Sequence, residues 1–195
     1  MKTNLNLTFD VTPFLTWFFG LIGRKAVTEA AAPVGFSKRT LENLSGLNDR
    51  AQVKLEGFVA AAQKAMAKRG VMVEVISGLR SWPQQAALYA QGRTKPGKVV
   101  TNARPGSSWH NYGLAIDLGL FKGGIYLDEK NPKLARQLYA ELGQLAASMN
   151  VEWAGTWKSF PEGPHFQTPF GLTLAAARAQ MQRNGLNVQR LTFPN

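Results

Sequence analysis

Apolar residues recur along this chain in two rhythms, one helical and one alternating. Over residues 50–69, Leu55, Phe58, Val59, Ala62 and Met66 fall on a single stripe at helical spacing, and Gly70 stops the run. The next stretch, VMVEVIS over 71–77, is short and β-branched, which predicts a strand. Pro83 suits the first turn of a helix running to Tyr89, which Gly92 closes. Residues 94–108 are rich in Pro, Gly, Lys and Asn and read as a loop. Asn131-Pro132 opens a longer helix through Met149, with Leu134, Leu138, Leu142, Leu145 and Met149 on its buried side. A short strand over 151–153 and a last helix over 173–184, capped by Gly185, complete the pattern.

The clearest alternation follows Asn111-Tyr112-Gly113, which reads as a turn. Leu114, Ile116, Leu118 and Leu120 point to one face, the core side, while Gly113, Ala115, Asp117 and Gly119 point to the other. An acid thus projects from a face whose neighbours are all small. That leaves space beside the carboxylate, and His110 can fold back towards it across the turn. No internal repeat is visible. Strands and helices mix without regular βαβ alternation, so the pattern predicts an α+β fold, a small antiparallel sheet with flanking helices.

The first 33 residues depart from this pattern. Residues 11–23 (VTPFLTWFFGLIG) carry no charge and end at Arg24-Lys25, too short for a spanning helix, which needs about 20 apolar residues. Only Lys2 precedes the apolar run while Arg24-Lys25 follow it, unlike a secretory signal. An Ala-rich linker comes next, so residues 1–33 read as an appended apolar segment, able to make a weak membrane or protein contact, and residues 34–195 as one domain.

Composition narrows the chemistry. The 195-residue chain has no cysteine, which excludes disulfides, thiol nucleophiles and thiolate metal sites and leaves any zinc to His and carboxylate ligands. Lys and Arg number 23 against 12 Asp and Glu, a formal charge of +11 that suits an anionic partner such as nucleic acid, a membrane surface or cell wall. The basic residues are scattered, with small clusters at Lys68-Arg69 and from Arg93 to Lys98, and no helix carries a continuous basic face, so specific nucleic-acid binding is not expected.

Both histidines sit in informative surroundings. Three residues before His165 is Glu162, on a Pro- and Gly-rich turn. Two imidazoles and the Asp117 carboxylate make a three-ligand zinc set with a fourth position left for water. Glu162 would then be the carboxylate that does not ligate but takes a proton from that water.

Ser108-x-His110-x-x-Gly113-x-Ala115-x-Asp117 resembles, at every fixed position, the S-x-H-x-x-G-x-A-x-D signature of the M15 zinc peptidases, which comprise D-Ala-D-Ala carboxypeptidases, dipeptidases and L-alanyl-D-glutamate peptidases. Pro164-His165-Phe166 resembles the family's second motif, and Ser77-Gly78-Leu79-Arg80-Ser81 its G-Y-R-S element. The resemblance spans roughly residues 36–167 and is closest to the phage endolysins, whose sequences ALYAQGRTKPGKVVTNAR also resembles. It implies the Hedgehog/D-Ala-D-Ala peptidase type of fold, with His110, Asp117 and His165 as ligands of one Zn2+, Glu162 as general base and Arg80 as the cation holding the substrate carbonyl and its developing oxyanion. Ser108 would support the site by hydrogen bonding or meet substrate, and Trp109, Trp153 and Trp157 would be core or pocket walls. Two positions depart from the pattern. Glu162 stands where endolysins usually have Asp, and Ala154 where Gly is expected.

The implied reaction is hydrolysis of the L-alanyl-D-glutamate bond in the peptidoglycan stem peptide by a monomer. It would take place at the bacterial cell wall, after synthesis in the host cytoplasm and release at lysis if the protein is an endolysin. The alternatives are a D-Ala-D-Ala carboxypeptidase of the same family and a non-catalytic zinc module that only binds the wall.

Overall fold

The computed structural model describes residues 35–194. The apolar segment 11–23 and its linker lie outside them, and among the described residues no helix is long and apolar enough to cross a membrane. Two helices open the domain, α1 (Lys38–Ser45) and α2 (Asp49–Ala67). The Ser37 hydroxyl accepts from the Thr40 amide and the Asn48 side chain from the Arg50 amide, so each helix starts on a side chain that occupies an orphan N–H. Strand β1 (Met72–Ser77) leads into α3 (Trp82–Ala90), which begins with a reciprocal Ser81–Gln84 capping box and Pro83 in its first turn. A 3-10 turn (Trp109–Tyr112) enters the long strand β2 (Ala115–Lys122). Then come β3 (Ile125–Tyr126), α4 (Leu127–Lys130), α5 (Pro132–Ser148), β4 (Glu152–Trp153), β5 (His165–Gln167) and α6 (Leu174–Arg183).

The sheet is antiparallel at every pairing, in the order β1-β2-β5-β4, with β3 pairing the far end of β2. It is the expected α+β arrangement. One face of the sheet carries Val73, Val75, Ile116, Leu118 and Leu120, all fully buried with Leu55, Phe58, Val59 and Ala62 of α2 in a single core. Phe166 of β5 joins them, its ring 4.9 Å from that of Phe58. Alternation along a three-residue strand therefore turns the neighbouring His165 away from the core.

Two expectations shift. The buried side of α5 is centred on Ala135, Leu138, Tyr139, Leu142 and Ala146, while Leu134, Leu145 and Met149 are only partly buried at its margin. Gly143 is the reason: a Cβ there would overlap the Trp153 indole, so the ring lies against the bare backbone and draws that flank inward. The room left by the small residues of β2 is also used differently. A Cβ at Gly119 would meet Ile76 and Phe121, so the space beside that glycine holds apolar side chains rather than site volume. His165 opens β5, which needs only three residues to pair with β2 and β4, just past the stretch that carries Glu162.

Candidate active site

Sheet register brings the site together. Asp117 of β2 stands opposite Ser77 of β1 and opposite His165 of β5, so three side chains share one face at neighbouring positions. His110 arrives from the 3-10 turn, which Gly113 ends at φ 65°. A Cβ at 113 would also crowd the Asn48 amide, whose N–H donates to the Gly113 carbonyl, so only glycine fits the turn against the start of α2. Three bonds stitch that turn to the end of β1: Arg80 N–H to the His110 carbonyl at 3.0 Å, Asn111 Nδ2 to the Arg80 carbonyl at 2.9 Å, and His110 Nδ1 to the Gly78 carbonyl at 2.8 Å.

These supports decide which ring nitrogens are free. The Gly78 carbonyl can only accept, so His110 Nδ1 carries the proton and Nε2 presents a lone pair. His165 Nε2 lies 2.9 Å from Gln167 Oε1, and Gln167 Nε2 donates to Glu152 Oε2 at 2.7 Å, which leaves Nδ1 of His165 as the lone pair. The two lone pairs and Asp117 Oδ1 converge. His110 Nε2 is 3.1 Å from His165 Nδ1 and 3.2 Å from Asp117 Oδ1, and His165 Nδ1 is 3.3 Å from Asp117 Oδ1. Asp117 Oδ2 is taken by Arg80 Nη2 at 3.2 Å, so a single carboxylate oxygen faces the imidazoles.

Three acceptors so close repel one another unless a cation sits among them. A tetrahedron of nitrogen and oxygen ligands ~2.0–2.1 Å from zinc has edges of about 3.4 Å, close to the separations seen. Among the described residues, His110, Asp117 and His165 are the group able to hold a metal ion, and donor type, spacing and the fixed ring protons all fit one. The electrostatics agree. Burial works against a charged Asp117, yet the two imidazoles hold its carboxyl well below the usual range. Burial likewise disfavours a charged His165, but the hydrogen bond to and charge of Asp117 outweigh it and raise that imidazole. Burial wins at His110, which is lowered. The cluster thus favours positive charge at its centre.

Glu162 flanks this point, its Oε2 4.0 Å from His165 Nδ1 and outside the converging trio. Burial, aided by the charge of Asp117, raises its pKa against the opposing pull of His165 and Arg80. Arg80 is fixed by Ser77 Oγ at 2.9 Å and by Gln85 Oε1 at 3.0 Å, besides Asp117. Gln85 is fully buried and donates to the Ala103 carbonyl, tying α3 to the loop along the cleft. The cleft holds about 520 Å³ and is lined by Arg80, His110, Asp117, Glu162 and His165, together with Ser108, Trp109 and Trp157. Ser108 stands at the entry to the 3-10 turn and its hydroxyl does not cap it. Trp157 is a cleft wall, its ring 5.4 Å from that of His165, whereas Trp153 is packed on Gly143 and donates to the Gly163 carbonyl.

Of the supporting residues, Asn111 stood out only as part of a turn, and Gln85, Gln167 and Glu152 did not stand out in the sequence. Gln167 had one signal, its place two residues after His165 on the same strand face. Arg93, part of the basic cluster, is committed internally: it donates to the carbonyls of Tyr89 and Thr101 and to Asn102 Oδ1.

Comparison with known proteins gives a consistent result. A family model described as D-alanyl-D-alanine carboxypeptidase, one of the M15 peptidases, matches residues 101–168. The peptidoglycan L-alanyl-D-glutamate endopeptidase CwlK of Bacillus subtilis is 41% identical over 111 residues, which cover 55% of this chain and 66% of that protein. The L-alanyl-D-glutamate peptidase of Listeria phage A118 is 27% identical over 140 residues, 68% of this chain and 41% of the phage protein. This chain therefore spans less than two thirds of the length of either relative. The Serratia marcescens L-Ala D-Glu endopeptidase ChiX superposes with a TM-score of 0.47 and 25% identity over 69% of this chain and 90% of its own. The matched segment carries His110, Asp117, Glu162 and His165, and over it this chain is similar to the M15 peptidases.

Proposed function

We propose that this protein is a zinc-dependent peptidase that hydrolyses the L-alanyl-D-glutamate bond of the peptidoglycan stem peptide, acting as a monomer on the bacterial cell wall. The observation that carries the reading is the convergence of three lone pairs within 3.3 Å of one another beside an unliganding carboxylate. Zinc held by His110 Nε2, His165 Nδ1 and Asp117 Oδ1 would supply a Lewis acid and acidify water. Glu162 takes the proton that the attacking water loses, and its raised proton affinity lets it hold that proton and pass it to the leaving amine nitrogen. Arg80 has five N–H donors, of which Ser77, Asp117 and Gln85 occupy three, so the others can meet the substrate carbonyl oxygen as negative charge grows on it. Trp157 and Trp109 wall the cleft and exclude water from the bond being cut.

Glu162 argues for an enzyme over a wall-binding module, since a binder has no use for a base. The named activities of the Bacillus and phage relatives support the L-alanyl-D-glutamate bond. The description of the matching family model, and Glu rather than Asp at 162, favour D-Ala-D-Ala carboxypeptidase activity as the second reading. Mass spectrometry of muropeptides digested by the purified protein separates them. Stem peptides beginning at D-Glu, with L-Ala left on muramic acid, are the expected products. Release of terminal D-Ala alone moves the protein to the second reading, and an intact digest supports the binding module.

Residues 34–195 are proposed to form the catalytic unit. A protein starting at Val34 is expected to stay soluble and to digest purified peptidoglycan at the full-length rate. Precipitation of that protein would show that the apolar segment completes the domain.

A further inference from the structure

The two histidines that face each other across the site are held by different kinds of acceptor. His110 Nδ1 donates to a backbone carbonyl, that of Gly78, which has no hydrogen to give and cannot turn round. His165 Nε2 is held by the side-chain amide of Gln167, and an amide has two faces. With its oxygen towards His165 it accepts from Nε2–H and leaves Nδ1 bare for a metal. Turned by half a rotation, its NH2 would donate to Nε2, the ring proton would move to Nδ1, and that proton would point at His110 Nε2 and Asp117 Oδ1.

What sets the direction of the amide lies one strand further out. Glu152 stands opposite Gln167 in the β4–β5 register, and its Oε2 is 2.7 Å from Gln167 Nε2. An ionised carboxylate only accepts, so it draws the NH2 end of the amide and turns the oxygen to His165. Gln167 is 5% exposed, so its amide has little solvent to turn to, while Glu152 sits at the exposed edge of the sheet. We infer that Gln167 and Glu152 are positioning residues that fix the tautomer of His165, and that the charge at position 152 decides whether the site can take up zinc. This rests on the zinc reading of the site given above.

The test reverses the polarity of the relay. Glu152→Lys puts a donor where the acceptor was, so the amide turns its oxygen outward and its NH2 to His165. The chain has two histidines, so long-range proton–nitrogen correlation spectra of the metal-free protein in alkaline buffer read both rings directly. The unsubstituted protein is expected to show His165 protonated at Nε2, and Glu152→Lys to show it protonated at Nδ1, with His110 protonated at Nδ1 in both. Zinc affinity, measured by competition with a chelating dye, is expected to fall about 10–100-fold, the usual cost of losing the partner of a ligating histidine. The double substitution Glu152→Lys with Gln167→Glu restores an acceptor on both sides of position 167 and is expected to recover the Nε2–H ring and most of the affinity. A His165 ring that stays Nε2–H in Glu152→Lys, or a folded double variant that recovers neither readout, overturns the inference. Inversion of the ring in a protein that never binds zinc would instead sustain the relay and sink the zinc reading.

Discussion

His110 and His165 offer opposite nitrogens to the same point, and the elements behind them are built differently. Behind His110 the support is backbone: the Gly78 carbonyl takes its Nδ1 proton, Arg80 N–H holds its carbonyl, and the tight Gly113 turn meets the start of α2. Behind His165 the support is side chain to side chain, Gln167 on β5 and then Glu152 on β4 at the edge of the sheet. The first arm cannot change its polarity without breaking the fold. The second can, because an amide and a carboxylate are free to be replaced or turned. One half of this site is therefore as rigid as the core beneath it, whereas the other is only as well defined as its hydrogen-bond chain.

The largest effect expected is common to both arms. Replacing His110, Asp117 or His165 with Ala removes one of three converging donors, and a site with three protein ligands has none to spare. Each variant is expected to lose stoichiometric zinc by elemental analysis and to lose all peptidoglycan hydrolysis. Zinc retained at one atom per chain in any of them would remove that residue from the ligand set.

Glu162 belongs to neither arm, which makes it the cleanest probe of chemistry apart from assembly. Its carboxylate approaches His165 Nδ1 only to 4.0 Å, so Glu162→Gln keeps the shape and should leave zinc content unchanged. The amide cannot accept the proton of the attacking water, and general-base help is worth typically 10²–10⁴-fold. Turnover of soluble muropeptide should fall by that range with wall binding intact. Arg80→Lys should also lower turnover, because a single ammonium cannot serve Ser77, Gln85 and Asp117 together and still reach substrate. Digestion by Glu162→Gln near the unsubstituted rate would place the base elsewhere.

The legibility of the molecule in its sequence follows the same division. Helix α2, strand β2 and the caps at Pro83, Asn131 and Thr173 were readable because periodicity and capping are local properties of the chain. His110, Asp117, Glu162 and His165 stood out through the family's fixed spacing. The residues that hold them did not. Gln85 reaches Arg80 from a helix, and Glu152 reaches Gln167 through strand register, contacts that no spacing rule encodes. Glutamine also carries no compositional signal, since a buried amide and an exposed one look alike until the fold supplies a partner. The rotation of α5 escaped for a similar reason: a leucine stripe shows which side is apolar, but the Trp153 ring lying on Gly143 sets which part of that side is deepest.

The smallest effect on chemistry, and the sharpest on the comparison, should come from Gly78→Ala. Gly78 makes no side-chain contact and supplies only its carbonyl to His110 Nδ1. A methyl group there would overlap the carbonyl of Asn43 in α1, a backbone atom that cannot rotate away. Asn43 is itself fastened, its Nδ2 donating to the Val75 carbonyl at 2.9 Å, so the end of β1 must move if α1 does not. Overpacking of this kind costs about 1–3 kcal/mol, and here it is felt in the fold before the metal. Chemical denaturation of the metal-free protein should therefore show Gly78→Ala destabilised by that amount, whereas Glu152→Lys, a change at an exposed edge, should stay within about 0.5 kcal/mol of the unsubstituted protein. Zinc should bind Gly78→Ala more weakly only in proportion to the displacement of its carbonyl, with His110 still protonated at Nδ1, because a backbone acceptor that shifts remains an acceptor. A Gly78→Ala protein of unchanged stability, or one whose His110 ring changes tautomer, would mean that the two arms are not built as differently as their partners imply.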